Sequence, residues 1–259
     1  MIFNNKYGIP FFTFPHLSEI PHIRHAVFTR EGGCSRGPFR SLNIGKGLGD
    51  APSAVDENRK LVSESIGQGE IVYIRQCHGT EIASFRKGDP HHSQSGMSFA
   101  GSQVGDGMVT DLPGKFLAIQ VADCQSVLMC DPEKEVVANV HSGWRGSIRN
   151  VAGRTVRVMI DDFGSDPARI LAGIGPSLGP CCAEFRNYRS EIPESFWGYR
   201  DDANRFDFWA ISQDQLTAEG LLRKHIFVSG LCTKCRTDLF FSYRSEKVTG
   251  RFATVIGLT

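Results

Sequence analysis

Between residues 116 and 142 the chain reads "FLAIQVAD", "SVLMCD" and "VVANVHS", three apolar runs separated by a few polar residues. Each run is short, bounded by turn-forming residues and rich in β-branched side chains, which predicts three strands in quick succession. "GMVTD" just upstream reads as a fourth. Strands that follow one another without an intervening helix argue against a Rossmann unit or a βα barrel and for layered, mixed sheets with helices outside them. Cys124 follows the first of these runs and His141 stands near the end of the third, so soft metal ligands are placed where apolar strands stop.

Elsewhere the spacing predicts a strand from His25 to Thr29 and a helix from about Ser53 to Ser65, stopped by Gly67. "EIVYIRQCHG" reads as a strand that delivers Gln76, Cys77 and His78 to its C-terminal end. A second helix is predicted from about Ser147 to Phe163, with Val151, Thr155, Val158 and Met159 as its apolar stripe. "RILAGIGPSLG" is a further buried strand, and the C-terminal segment from His225 onward is expected to close the chain with strands and a hairpin-like turn. Residues 87–107, Gly- and Ser-rich and containing His91 and His92, read as a mobile surface loop. No internal repeat is present. With 259 residues, 41% of them hydrophobic, the chain can bury a full core, and the expected architecture is one α/β (α+β layered) domain over residues 1–259.

Charge narrows the partners. The 29 basic and 28 acidic residues nearly cancel, so there is no broad field to hold nucleic acid or an anionic membrane, and a small molecule is the expected partner. No apolar run approaches the ~18 residues a membrane span requires, and "MIFNNKYGIPFFTF" lacks the layout of a signal peptide. A cytoplasmic address and a monomer or weak homodimer are expected. Eight cysteines in a reducing compartment point to metal or thiolate chemistry before disulfides.

His78 in "QCHG", Cys124 in "VADC" and His141 in "NVHSGWRG" sit at or just beyond strand ends, each next to glycine or small residues that allow close backbone approach. Two imidazoles and a thiolate suit Zn²⁺, whose catalytic sites use three protein ligands and leave a fourth position open. A second reading of the same atoms is a free Cys124 thiolate activated by a neighbouring imidazole.

The blocks "FTREGGCSRGPFRSLNIG", "DENR", "QCHG", "GDGMVT", "VADCQSVLM", "HSGWRG", "AGIGPSLGPCC", "CTKC", "FFSYR" and "TGR" follow one another from about His25 to the C-terminus. In order and spacing they resemble the YfiH-like family, also called the laccase-domain or polyphenol oxidase family. The resemblance implies the fold shared with the cytotoxic-necrotizing-factor-like cysteine enzymes and a zinc site made by His78, Cys124 and His141. It implies phosphorolysis of adenosine, inosine and guanosine, with deamination of adenosine. Two other roles attach to the family: a copper-dependent phenol oxidase, and a peptidoglycan-precursor editing factor. Ala183 stands where the family has an aromatic residue, and Ser245 where it has a basic one.

Zinc suits deamination, because it makes a bound water acidic enough to attack an electron-poor purine carbon. Copper is the less favoured cofactor, since a multicopper oxidase needs many histidine ligands and the chain has eight in all, two of them in motifs. Asp123 is either a proton shuttle or a carboxylate that positions its neighbour. Phosphate requires arginines or a Gly-rich turn, and Arg30, Arg59, Arg145, Arg244 and Arg251 lie inside the motif blocks. Ser41 and Asn43 are candidates for ribose or base contacts, with an Asx turn as the alternative for Asn43. Trp144 reads as packing first and as a purine-stacking surface second. Cys181, Cys182, Cys232 and Cys235 are expected to be ordinary structural thiols in preference to a four-thiolate zinc site. A binding module with a purely structural zinc is the non-enzymatic alternative.

Overall fold

The computed structural model describes residues 1–67, 69–88 and 103–259. The strands are β1 (Ile2–Lys6), β2 (Ile9–Thr13), β3 (Ile23–Phe28), β4 (Glu70–Tyr73), β5 (Ile82–Phe85) and β6 (Gly107–Thr110), then β7 (Lys115–Val121), β8 (Gln125–Asp131), β9 (Val136–Ser142), β10 (Leu171–Ile174), β11 (Ile226–Val228) and β12 (Phe252–Leu258). They form two six-stranded sheets, ordered β1-β2-β3-β12-β7-β4 and β11-β10-β8-β9-β6-β5. Most pairs are antiparallel, but β4 with β7, β5 with β6 and β10 with β11 run parallel, so both sheets are mixed.

Successive side chains of a strand point to opposite faces, and here both faces are covered. Leu117, Ile119 and Val121 of β7 meet Leu128 and Cys130 of β8 and Val137 of β9 between the sheets. The alternate residues of the second sheet, Val127, Met129, Ala138 and Val140, pack under the helix Val151–Phe163 through Val151, Val156 and Met159. On the far side of the first sheet, Phe28, Phe116, Ala118 and Val255 lie beneath Val62 and Ile66 of the helix Pro52–Ile66. Burial on both faces is why β8, β9 and β12 are nearly continuous apolar runs, each large side chain contributing about 1.5–3 kcal/mol. Asn139 interrupts β9 for a reason. Fully buried, it donates through Nδ2 to the carbonyls of Leu117 and Thr254, both at 2.9 Å, and so ties the two sheets together.

Two of the sequence expectations change. The predicted helix 147–163 is two helices, Trp144–Ile148 and Val151–Phe163, because Asn150 adopts a left-handed φ of 57° and its side chain caps the Gly153 N–H. The C-terminal segment holds no hairpin: β11 and β12 join different sheets, and Phe240 and Phe241 between them are buried in the core between the layers. The reading of residues 87–107 as a mobile loop, with His91 and His92, falls mainly on residues 89–102, outside the described residues. Among the described residues, no helix is long and apolar enough to cross a membrane.

The fold also stores an acid sensitivity. His25 on β3 accepts the Phe14 N–H at Nε2 (2.8 Å), and burial, with nearby His16, lowers its pKa to about 3. His16 is lowered to about 4, again by burial first. Both are neutral when folded and titrate near 6.5 when unfolded. Below that value the unfolded state takes up protons that the folded state refuses, so stability is full above pH 6.5 and declines as pH falls towards 3. Urea titrations from pH 7 to 4 are expected to show His25→Gln with a slope smaller than native by about 1.4 kcal/mol per pH unit. Equal slopes for the two proteins would rule His25 out as the sensor.

Candidate metal centre and its cleft

The chain crosses from the first sheet to the second twice near one point. After β7 it passes through Asp123 and Cys124 into β8; after β4 it passes through residues 74–79 towards β5. His78 and Cys124 stand on these crossings, and His141 is presented to them by β9. Asp123 takes a left-handed φ of 86°, costly for a non-glycine residue. Its carboxylate is held by three donors, the hydroxyls of Thr233 (2.6 Å) and Ser242 (2.7 Å) at Oδ1 and the Arg244 N–H at Oδ2. With both oxygens engaged, Asp123 braces the turn that presents Cys124. The other crossing is fixed by Gln76, whose side-chain amide accepts the Gln120 N–H and donates to the Gln120 carbonyl, each at 2.9 Å, as a strand neighbour of β7 would.

The ligand atoms of His78, Cys124 and His141 all lie within 4.8 Å of one another. Cys124 Sγ is 3.8 Å from His78 Nε2, close to the ~3.5 Å edge that tetrahedral coordination with zinc–ligand distances of 2.0–2.3 Å requires. His141 turns Nδ1 to Asp106 Oδ1 at 2.7 Å, which leaves Nε2 for the cluster. Gly143 must lack a side chain: a Cβ there would come within 2.7 Å of the His78 ring and 3.1 Å of Cys124 Sγ.

Asp106 is the functional residue the motif reading passed over, although it stands within the quoted "GDGMVT". Fully buried, it accepts from the His78 N–H (2.9 Å), the Gly79 N–H (2.6 Å) and the Cys77 thiol (3.1 Å) besides the His141 ring. Burial alone would raise its pKa, but the hydrogen bonds from His141, Cys77 and Gly79 outweigh it and hold the carboxyl well below the usual range. A carboxylate behind a ligating histidine fixes the tautomer and increases the basicity of the other nitrogen. Cys124 is likewise pushed up by burial, then pulled to about 6 by His141 and His78. His141 is pushed down by burial and raised to about 9 by the Cys124 thiolate and Asp106. The metal-free pair is thus a thiolate facing an imidazolium; a cation that displaces the His141 proton would meet a thiolate and two imidazoles, and that donor set fits a single soft divalent metal.

The cluster lies in a cleft of about 800 Å³ lined also by Arg145, Arg244, Arg251, Trp144, Phe185 and Tyr243. Three of the five sequence-selected arginines therefore face it. Arg251 spends Nη1 on the carbonyls of Thr249 and Gly250, and Arg244 spends Nη1 on that of Glu184. Arg145 lies over the Trp144 ring at 4.3 Å and, among the described residues, donates to no protein acceptor. Trp144 itself packs edge-on against Phe185 and still faces the cleft. Arg30, Arg59, Ser41 and Asn43 lie outside the lining and do other work. Arg30 pairs with Glu246 at 2.9 Å and covers Phe241. Arg59 donates to the Ile44 carbonyl and covers Tyr73. Ser41 Oγ accepts the Gly33 N–H, and Asn43 Oδ1 accepts from Gly45 and Arg251, so both hold loop backbone. Gln125, which stands within the quoted "VADCQSVLM" but carries no role in the motif reading, also lines the cleft, and its buried Nε2 has no partner among the described residues.

Known proteins share this sequence pattern and fold. The profile of the family described as "Multi-copper polyphenol oxidoreductase laccase" matches residues 24–259. A purine nucleoside phosphorylase named YlmD from Geobacillus stearothermophilus is 34% identical over 242 residues, covering 88% of each chain. The purine nucleoside phosphorylase named YfiH from Escherichia coli is 33% identical, covering 89% of this chain and 91% of its own. Among solved structures, a Bacillus licheniformis protein named YfiH superposes with a TM-score of 0.86 at 30% identity over 99% of both chains. YlmD from G. stearothermophilus superposes at 0.85 and 32% identity, over 99% of this chain and 98% of its own. With its profile match running almost from end to end and its two mixed sheets superposing on those of YfiH and YlmD, the chain belongs to the YfiH/YlmD laccase-domain family.

Proposed function

We propose that the chain, as one domain, is a zinc-dependent purine nucleoside phosphorylase acting on adenosine, inosine and guanosine, with adenosine deamination as a side reaction. The observation that carries this reading is the His78, Cys124 and His141 cluster at the base of a cleft walled by arginines and aromatic rings. The names of the relatives support phosphorolysis; the deaminase reading rests on zinc chemistry alone. Two imidazoles and one thiolate form a zinc donor set with a fourth position open. A multicopper centre needs many more histidines, and among the described residues two converge in this cluster. When bound, zinc supplies Lewis acidity and lowers the proton affinity of an oxygen ligand.

In phosphorolysis a phosphate oxygen bonds to ribose C1′ as the bond from C1′ to the purine nitrogen breaks, and the electron pair leaves with the base, which then takes a proton. The chain's own contribution is to bind and orient. Trp144 and Phe185 offer apolar faces to a purine. Gln125 Nε2 offers a buried donor that has no partner among the described residues, and such a group gains most from a substrate acceptor. Arg145, over the Trp144 ring and donating to no acceptor among the described residues, is placed to meet the phosphate.

Metal analysis tests the first half of this. The native chain is expected to hold zinc, and Cys124→Ala to hold one equivalent less. Asp106→Asn is expected to weaken that site by about 10- to 100-fold in a chelator competition, because His141 loses its carboxylate. Zinc content unchanged by Cys124→Ala, or several copper ions in the native chain, would overturn the assignment.

The second half is tested by following base and ammonia release from adenosine over a range of phosphate concentrations. Base release should saturate with phosphate, and ammonia release should be indifferent to it. Arg145→Ala should raise the phosphate KM by about 10- to 100-fold, the value of a charge-assisted hydrogen bond, with zinc retained; Arg30→Ala and Arg59→Ala should leave that KM near native. Base release without phosphate would make the chain a nucleoside hydrolase, and no turnover of any purine nucleoside would favour a binding module.

A further inference from the structure

The four motif cysteines outside the cleft were expected to be separate packing thiols, and the structure gathers them. Ser177 and Cys232 form a parallel bridge, with the Ser177 N–H donating to the Leu231 carbonyl (3.2 Å) and the Thr233 N–H to the Ser177 carbonyl (3.0 Å). This short ladder brings the turn carrying Cys181 and Cys182 against the turn carrying Cys232 and Cys235. All four sulfurs lie within 4.8 Å of one another. Cys235 Sγ is 3.6 Å from both Cys181 Sγ and Cys182 Sγ. Four sulfurs at ~2.3 Å around a tetrahedral zinc stand ~3.8 Å apart, whereas a disulfide needs ~2.05 Å.

Neither ordinary alternative explains the group. Packing thiols are buried, yet Cys181 and Cys235 are exposed. A disulfide pairs two sulfurs, yet Cys235 stands equally near two partners and none is at bonding distance. The Gly179 N–H donates to Cys232 Sγ at 3.3 Å, the kind of backbone contact that supports a ligating thiolate.

We propose that Cys181, Cys182, Cys232 and Cys235 form a second metal site, closed and structural, that takes a thiophilic divalent cation, zinc by preference. Each cysteine that coordinates gives up its proton to solvent, and no electron is transferred. The site clips together two segments 53 residues apart in sequence, and both lead to the nucleoside cleft. Thr233, beside Cys232, and Ser242 hold Asp123; Arg244 Nη1 donates to the Glu184 carbonyl, two residues past Cys182. Leu178 and Phe185 from one segment and Tyr243 and Arg244 from the other line the cleft. The cation therefore fixes one wall of the cleft without entering it.

The test needs no nucleoside, so it is independent of the phosphorylase reading. Elemental analysis of the reduced native chain should give two metals per chain. Cys124→Ala should retain one, and a chain carrying Cys232→Ser with Cys235→Ser should retain the other. Should the double variant misfold, the Cys124→Ala chain, in which all four thiols are intact, decides alone. Stripped and titrated with Co²⁺, it should bind one equivalent with the intense thiolate charge-transfer absorption of a four-sulfur site, and binding should protect four thiols from a thiol reagent. One metal per native chain and none in Cys124→Ala would overturn the proposal, as would a non-reduced native mass lower by the two hydrogens of a disulfide.

Discussion

The carboxylate of Asp106 is the group on which the candidate metal centre depends. It sits at the foot of β6 with no access to water, and five donors from the crossing loop and from β9 converge on it. An unpaired charge at such depth would be untenable; fully hydrogen-bonded, it becomes a fixed point to which two of the three ligands are tied. The Cys77 thiol and Gly79 N–H hold the crossing loop against it. His78 keeps its left-handed backbone, φ 58°, because that conformation sends its N–H to Asp106 while the ring turns to Cys124.

The layers were readable because the physics that makes them is local. Apolar strands such as β8 and β9 report burial on both faces whatever their neighbours are, and the boundaries of Val136–Ser142 follow directly from that run. What escaped was non-local. The break at Asn150 rests on one side chain choosing its own backbone over helix continuation. The C-terminal apolar cluster "LFF" fills a space between sheets whose existence depends on strands more than a hundred residues away. Neither is written in a window of ten or twenty residues.

At the site the same division holds. His78, Cys124 and His141 carry side chains whose chemistry is rare enough to be noticed one at a time. Asp106 is a common residue type, and only its burial beneath a histidine marks it. The arginines show the reverse error. Arg30 and Arg59 lie in motif blocks as surely as Arg145 does, but their guanidiniums are absorbed by Glu246 and by the Ile44 carbonyl, and a motif does not say which way a long side chain turns. With the cysteines, exposure carries the proposal: a buried thiol describes Cys232, whereas Cys181 and Cys235 are exposed.

That two of the three candidate ligands, His78 and Cys124, stand on crossings between the two sheets has a mechanical side. Cys124 stands one residue before β8, whose pairing with β9, Gln125 opposite Ser142, sets its distance from His141. The link from Cys124 to β7 and the Gln76–Gln120 pair make the cluster's hold on the first sheet depend on the offset between the layers. That offset is set by Leu117, Ile119, Leu128 and Val137, and by the two hydrogen bonds of Asn139. The centre behaves as a gauge read across the seam of the sandwich. Any slip of one layer over the other, even one begun in the apolar interior, strains the crossings that carry His78 and Cys124, and a cation held there would act as a rivet against it.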